Sequence, residues 1–124
     1  MEEKNAIIKS TKLGKEDHGI MSFMLHLDYG NSGQGAGGYA LDTPIRKNNE
    51  FIKRIGSAAG MSLIMEVLKV VGVENWEDLS GTHIRVRAEH SKVYAIGHIM
   101  KDDWLDFMEF WKEIKPLMKL IDEE

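Results

Sequence analysis

A glycine-rich stretch, NSGQGAGGYALD (31–42), is the feature that most constrains how this chain can fold. Gly33, Gly35 and Gly38 match the spacing G-x-G-x-x-G, in which a strand leads through a glycine loop into a helix whose N-terminal amides face a pyrophosphate. Here the residues after Gly38 predict a short strand, and the next predicted helix begins beyond Pro44. The motif therefore lacks the structural context that a dinucleotide-binding site needs.

Two interpretations of the glycine stretch stay open. It is either a hairpin edge that lets two pieces of backbone approach closely, or a wall without side chains beside a bound ligand, with Gly37, Gly38 and Tyr39 lining it. Protein kinases also carry a strand-loop-strand glycine loop, but the chain lacks their H-R-D and D-F-G motifs.

Alternating apolar and polar residues predict the first strands. Residues 5–13 and 20–29 have this pattern, and from Met21 to Tyr29 every second residue is apolar, as in a half-buried strand. The turn between them is GKEDHG, and GGYALD (37–42) continues as a third strand.

Helical spacing of apolar residues predicts a long central helix. It runs from Phe51, behind a cap at Asn48-Asn49, to a C-terminal cap at Gly72. Gly56 and Gly60 lie inside the predicted helix, where each costs roughly 1 kcal/mol relative to alanine. They indicate either close packing against another element or a break in the helix.

The rest of the chain completes the predicted fold. Residues 82–88 and 93–100 form a predicted hairpin, and 103–122 an amphipathic C-terminal helix. The order β-β-β-α-β-β-α predicts one α+β domain, 1–124, with a small, mostly antiparallel sheet. The C-terminal helix has more apolar surface than a small sheet needs, so we expect part of it at a homo-oligomer interface. Docking on its own sheet is the alternative.

Composition and charge exclude several classes of protein. A formal net charge of −4 argues against a protein that coats nucleic acid, but it allows a small anion held by a few arginines. The absence of cysteine excludes disulfides and thiolate metal sites. The charged start MEEKNA does not fit a signal peptide, and no apolar run has the length of a membrane span. We expect a cytoplasmic protein without a membrane partner.

The strand THIRVRA (82–88) carries the candidate binding residues. His83, Arg85 and Arg87 alternate with apolar residues and therefore project from one face. The guanidinium group offers a planar fork that matches phosphate oxygens, and an imidazole adds a donor, so this face would suit a diphosphate. The alternative is a solvated face that pairs with neighbouring carboxylates.

Three more residues are candidates for the same site. Tyr94 and His98 share one face of the next strand and would add a stacking ring if that face is the arginine face, which the sequence does not fix. Arg54, near the start of the predicted central helix, would approach from a second side.

Catalytic and metal-binding patterns are missing from the sequence. None of the five histidines lies in an H-x-x-x-H or H-E-x-x-H motif, and no nucleophile elbow is present. We therefore expect a binding protein without a metal or cofactor, and not an enzyme.

Five segments resemble a family of small phage and prophage proteins, the first Thoeris anti-defence family. They span most of residues 5–107 and read KSTKLGKEDHGI, GGYALD, IGSAAGMSLIMEVLKVVGV, WEDLSGTHIRV and IGHIMKDDWLDF. The resemblance implies a sponge that binds glycocyclic ADP-ribose, the signal of bacterial TIR-domain enzymes, without cleaving it, inside the infected host cell. It also implies homo-oligomers with ligand pockets between protomers. The site residues named above come from local chemistry and not from the family.

Two other functions compete with the sponge. Three strands, a helix and two strands are also the order of an OB-fold, which binds single-stranded nucleic acid through aromatic side chains in a basic groove. The third candidate is an inhibitor that binds a host protein through the aromatic C-terminal helix.

Overall fold

The computed structural model describes residues 1–122 and places eight strands and two α-helices among them. The strands are β1 (Glu2–Asp17), β2 (Ile20–Asp28), β3 (Gly33–Ala40), β4 (Asp42–Lys47), β5 (Glu50–Gly56), β6 (His83–Glu89), β7 (Lys92–His98) and β8 (Trp104–Asp106). The helices are α1 (Ala58–Val71) and α2 (Phe107–Asp122), with a single 3-10 turn at Trp76–Asp78. The predicted α+β class and the order β-β-β-α-β-β-α are confirmed, with the hairpin β4–β5 and the short β8 in addition.

Six of the described strands form the main sheet, in the antiparallel order β3-β2-β1-β6-β7-β8. The sheet curls until β3 approaches β7. Across this gap the side-chain amide of Gln34 donates to the carbonyl oxygens of Glu89 at 2.9 Å and His90 at 3.2 Å. A three-stranded meander, a helix and a hairpin that returns to the first strand follow the order of an OB-type barrel.

Alternation along the strands gives the main sheet an inner and an outer face. The inner face buries Phe23, Leu25 and Leu27 of β2 and Ile84, Val86 and Ala88 of β6. The helices join this core through Leu63, Val67 and Val70 of α1 and Phe107 and Phe110 of α2. Full burial of a large apolar side chain stabilises a fold by roughly 1.5–3 kcal/mol. The inner face therefore holds the domain together, and the outer face is left for other contacts.

Helix α1 begins at Ala58, so the predicted start at Phe51 is wrong. Residues Glu50–Gly56 form β5 and pair with β4. Asn48 and Asn49, with φ values of 52° and 64°, make the tight turn of this hairpin and do not cap a helix. Asparagine tolerates this left-handed conformation, and two such residues in succession suit a two-residue hairpin turn.

The two predicted helix glycines have different roles. Gly60 lies in α1 and packs against the backbone of Leu41, where a Cβ atom would collide, so close packing is confirmed at this residue. Gly56 lies in β5, outside the helix. Ser57 caps α1 by accepting a hydrogen bond from the Gly60 N–H at 2.9 Å, and Gly72 provides the predicted C-terminal cap at φ 90°. The close contact at Gly60 is internal to one chain and gives no support to an oligomer.

The C-terminal helix also begins later than its predicted start at residue 103. Trp104–Asp106 form β8 on the edge of β7, and α2 follows directly. Asp106 caps the N-terminus of α2. Its carboxylate accepts a hydrogen bond from the N–H of Glu109 at 3.0 Å. Among residues 1–122 no helix has the length and apolar character required to cross a membrane.

Candidate functional site

The outer face of the main sheet brings two arginines and a tryptophan together. The pairing register places Arg85 and Arg87 of β6 between β1 and β7, and Trp104 of β8 reaches over β7 towards them. The arginine patch is the following set of side chains: Glu3, His83, Arg85, Arg87 and Trp104. The predicted projection of the two arginines from one strand face is thus confirmed.

Trp104 is the platform of the patch. Its indole ring lies against Gly97, where a Cβ atom would come within 2.7 Å of the ring carbons. The guanidinium carbon of Arg87 lies 3.8 Å from the ring centroid, and that of Arg85 lies 4.9 Å from it. Cation–π contacts at exposed sites are worth about 0.5–1 kcal/mol. The ring therefore orients Arg87, whose side chain is 45% exposed and accessible to solvent.

Arg85 has a structural role in addition to its charge. Its Nε donates to the carbonyl oxygen of His98 at 2.9 Å, and its Nη2 donates to that of Lys101 at 2.7 Å. These bonds hold the turn that follows β7. Arg85 thus has much of its donor capacity engaged within the chain, and Arg87 is the more available of the two.

Glu3 supplies the acidic side of the patch. One carboxylate oxygen lies 3.8 Å from Nη1 of Arg85 and the other lies 3.9 Å from Nε of Arg87. Both distances are too long for hydrogen bonds, and exposed ion pairs of this kind contribute about 0–1 kcal/mol. The predicted alternative, a strand face paired with carboxylates, is therefore partly realised. Two cationic groups still face one carboxylate.

His83 extends the patch towards the β2–β3 turn. It is exposed and borders a shallow pocket of about 240 Å³ whose other lining residues are Asn5, Ala6, Ile7, Asp28, Tyr29 and Gly30. Small-molecule sites typically enclose about 300–1,000 Å³. One copy of the chain therefore offers an open surface at this point and not an enclosed site.

His98 does not join the arginine patch, and the Tyr94 side chain contacts Glu89 and Lys92. The side chain of His98 lies on the opposite face of β7 from Arg85, and its Nδ1 accepts two backbone N–H groups of the following turn at 3.0 Å each. The hydroxyl of Tyr94 donates to the carboxylate of Glu89 at 3.3 Å, and the nearby negative charge raises the pKa of Tyr94. The stacking ring of the patch is Trp104 instead.

Arg54 lies in a different region, at the base of the β4–β5 hairpin. Its Nε and Nη2 each donate to a carboxylate oxygen of Asp42 at 2.9 Å. Asp42 is 6% exposed at its side chain and also accepts the N–H of Met21 at 3.1 Å. The hydrogen bond from Arg54 holds the pKa of Asp42 below its ordinary value. Arg54 is thus a structural residue of the hairpin.

Residues of the neighbouring strand β2 fill the space beside the glycine stretch. Gly37 and Gly38 form a bulge of β3 with φ values of 128° and 82°, and a Cβ atom on Gly37 would come within 2.6 Å of the Phe23 carbonyl oxygen. A Cβ atom on Gly35 would meet the sulfur of Met24 at 2.9 Å. These contacts favour the structural interpretation, in which the missing side chains admit the neighbouring strand.

Tyr39 points away from the outer face. Its ring lies 4.9 Å from that of Phe107 and 6.2 Å from that of Trp111, between centroids. Burial, with a smaller contribution from the charge of Asp106, raises the pKa of the Tyr39 hydroxyl. Tyr39 therefore helps to seat α2.

Sequence reasoning missed Glu3 and Trp104. Glu3 precedes the predicted first strand, and Trp104 falls on the predicted C-terminal helix. One signal was present, since a glycine inside a strand, here Gly97, often marks the close approach of another group. Within the described part of the chain, no group of three or more His, Asp or Glu side chains is arranged to hold a metal ion.

No protein-family model, curated protein or solved structure matches the chain. The Thoeris resemblance therefore stays a prediction.

Proposed function

We propose that the chain binds a cyclic ADP-ribose type nucleotide, glycocyclic ADP-ribose, and sequesters it without cleaving it. In this role it is a phage or prophage anti-defence protein that blocks TIR-dependent Thoeris immunity. The ligand joins a diphosphate to ribose and adenine. It therefore needs cationic donors for the phosphates and apolar or aromatic surface for the rest.

One observation carries the proposal: an accessible guanidinium, that of Arg87, is held over a tryptophan ring beside Arg85. His83 lies further along the same strand. A pre-oriented guanidinium gives up little side-chain entropy when it binds a phosphate. The patch is also locally basic in a chain of net charge −4, which favours a small anion over a long polyanion. Sequestration needs affinity for the ground state alone and no catalytic group.

The open shape of the patch supports a site that two copies of the chain share. The pocket beside His83 measures about 240 Å³ and is shallow, whereas ligands of this size are usually largely enclosed. A second protomer placed against the outer face would complete the enclosure. This agrees with the homo-oligomer that the resemblance implies.

The test is to identify what the protein captures. The full chain is incubated with a lysate that contains an activated TIR-domain enzyme, washed and heated, and the released molecules are measured by mass spectrometry. We expect intact cyclic nucleotide at a fixed ratio to the chain. Release of cleaved product alone would make the protein an enzyme, and release of no nucleotide would overturn the proposal.

A variant pair ties the capture to the patch. Arg87→Ala removes charge-assisted hydrogen bonds that are worth about 1.5–3 kcal/mol, so affinity for cyclic ADP-ribose isomers should fall about 10- to 100-fold. Lys9→Ala, which removes an exposed cation of β1 outside the patch, is the control and should bind as the wild type does. Equal binding by both variants would exclude the arginine patch as the site. Arg85→Ala is less informative because Arg85 also holds the turn after β7.

The strand order favours a second candidate, an OB-like domain that binds single-stranded nucleic acid. Its usual binding surface, the outer side of β2 and β3, here presents Ser22, Met24, His26 and glycines. Such domains rely on aromatic stacking and basic grooves, and fold alone does not establish function. If this candidate is correct, a single-stranded oligonucleotide will bind with a steep dependence on salt concentration.

A further inference from the structure

The hairpin β4–β5 leaves its apolar side chains in water. Within the described residues its two strands pair with each other and with no other strand. Phe51, Ile52 and Ile55 are 56%, 53% and 41% exposed. A two-stranded hairpin is at best marginally stable alone in water, and clustered exposed apolar side chains mark contact surfaces. This hairpin therefore has the character of an element that another surface covers.

The hairpin is nevertheless firmly held at its base. Asp42 joins its two strands to β2 through the side chain of Arg54 and the N–H of Met21. Ser57 donates to the carbonyl oxygen of Leu41 from both its N–H, at 3.2 Å, and its hydroxyl, also at 3.2 Å. Strands of this length reach roughly 20 Å from their base. The hairpin is thus a projecting arm and not a loose loop.

The charge of the arm is opposite to that of the chain. Residues 42–56 carry four basic side chains against two acidic ones, whereas the whole chain has a net charge of −4. Arg54 and Asp42 neutralise each other at the base. The exposed part of the arm therefore presents Arg46, Lys47 and Lys53, against the one carboxylate of Glu50.

A groove of complementary character lies between α1 and α2. It measures about 390 Å³, and its apolar lining consists of Trp104, Leu105, Phe110, Ile114 and Leu117. Its charged lining consists of Glu66, Lys69, Asp106, Glu109 and Glu113, four acids against one base. Leu117 is 55% exposed at the edge of the groove. The groove thus pairs apolar surface with negative charge, as the arm pairs apolar surface with positive charge.

We infer that the β4–β5 arm of one copy of this chain docks into the α1–α2 groove of a second copy. Phe51 meets the apolar lining, and Arg46, its partner across the hairpin, faces the acidic residues of the groove. Lys53 pairs with Ile45 on the other face of the arm, where it adds to the arm's positive charge. Arm and groove are different surfaces, so the contact is heterologous, and it closes either reciprocally between two copies or around a ring. This contact goes beyond the proposed function, because it needs no nucleotide and none of the patch arginines, and it shares only Trp104 with the patch.

The test uses charge reversal in two full-length variants. The arm variant carries Arg46→Glu and Lys53→Glu, and the groove variant carries Glu109→Lys and Glu113→Lys. In each variant alone, arm and groove carry charge of the same sign and repel each other. We therefore expect monomers by native mass spectrometry and light scattering without ligand. In a mixture of equal amounts, the arm of each variant matches the groove of the other. We expect mixed assemblies of at least twice the mass of one chain.

Controls make every result decisive. Lys9→Glu with Lys101→Glu changes net charge as the arm variant does, at exposed sites outside both surfaces, and should assemble like the wild type. Circular dichroism must give the wild-type spectrum for each variant, and a chain with all four reversals must assemble again. A monomeric wild type, an arm variant that still assembles alone, or a mixture that stays monomeric would overturn the inference. Nucleotide binding is measured separately, so its failure would leave this result standing.

Discussion

Two arginines of this chain, Arg54 and Arg87, are held by different partners. Arg54 makes two hydrogen bonds of 2.9 Å to Asp42, whose side chain is 6% exposed. Arg87 lies over the face of Trp104 and has Glu3 at 3.9 Å. The sequence predicted a ligand contact for both. Only Arg87 is placed where it can make one.

The difference shows that the partner decides what an arginine can do. A nearly buried carboxylate that accepts two hydrogen bonds occupies the guanidinium fork, and separating such a pair leaves a charge unpaired. An aromatic ring contacts the guanidinium plane and leaves its N–H groups at the edge for another acceptor. Ring-held arginines are therefore suited to binding, and carboxylate-held ones to structure.

Removal of the Trp104 ring should have the largest effect on stability and on the orientation of Arg87. Trp104→Ala takes away half-buried indole that packs on Gly97 and under both patch arginines. We expect a loss of about 2–3 kcal/mol in the free energy of unfolding in urea, below the range for a fully buried tryptophan. The NMR signal of the Arg87 Nε–H group should also shift and sharpen as the side chain becomes mobile.

Trp111→Ala is the matched control, because Trp111 is also half-buried but packs on Tyr39 and Phe110. It should lower stability and leave the Arg87 signal in place. An unchanged Arg87 signal in Trp104→Ala would show that the ring does not orient this arginine.

Low pH should weaken the ion pair of the other arginine, Arg54, with Asp42. Because the folded-state pKa of Asp42 is lowered, the pair with Arg54 stabilises the arm above the ordinary aspartate pKa and is lost as pH falls through the lower folded value. Below about pH 4 the protection of the amides of residues 42–56 against exchange with deuterated water, relative to the intrinsic rate at the same pH, should therefore fall. The contact between Trp104 and Arg87 does not involve the Asp42 carboxylate, so it should persist.

Asp42→Asn checks the assignment of this acid response. The amide keeps the shape of the side chain but has no charge, so the variant should show low amide protection in the arm at neutral pH and little further loss of protection in acid. If the arm of Asp42→Asn still loosens steeply below pH 4, another carboxylate is responsible.

The sequence was informative wherever one strand or one helix face determined the outcome. Alternation in 20–29 and 82–88 predicted the core side of β2 and β6 and the shared face of Arg85 and Arg87. These features depend on local periodicity, which the backbone imposes directly. The fold class followed from the order of such segments.

Features that depend on pairing between distant segments were missed. The Asn48-Asn49 pair suits a helix cap or a hairpin turn equally well. It forms a turn because β5 pairs with β4. Trp104 joined the patch because β8 pairs with β7, and Glu3 joined it because β1 pairs with β6. The pairing register of such strands is determined by the packing of the whole domain and cannot be predicted from one segment.

The smallest effect on stability is expected at Glu3, where the direction of the effect on binding is the informative result. Glu3→Gln removes a half-exposed carboxylate 3.8–3.9 Å from the two arginines, so stability should change by no more than about 0.5 kcal/mol. The same carboxylate competes with an incoming phosphate, so affinity for cyclic ADP-ribose isomers should rise about two- to fivefold at low salt, and less at high salt. Isothermal titration calorimetry at low and high salt measures the affinity, and unfolding in urea measures the stability. Glu2→Gln is the control, since Glu2 lies 3.9 Å from Lys4 instead. If both variants bind equally, Glu3 does not compete with a phosphate for the arginines.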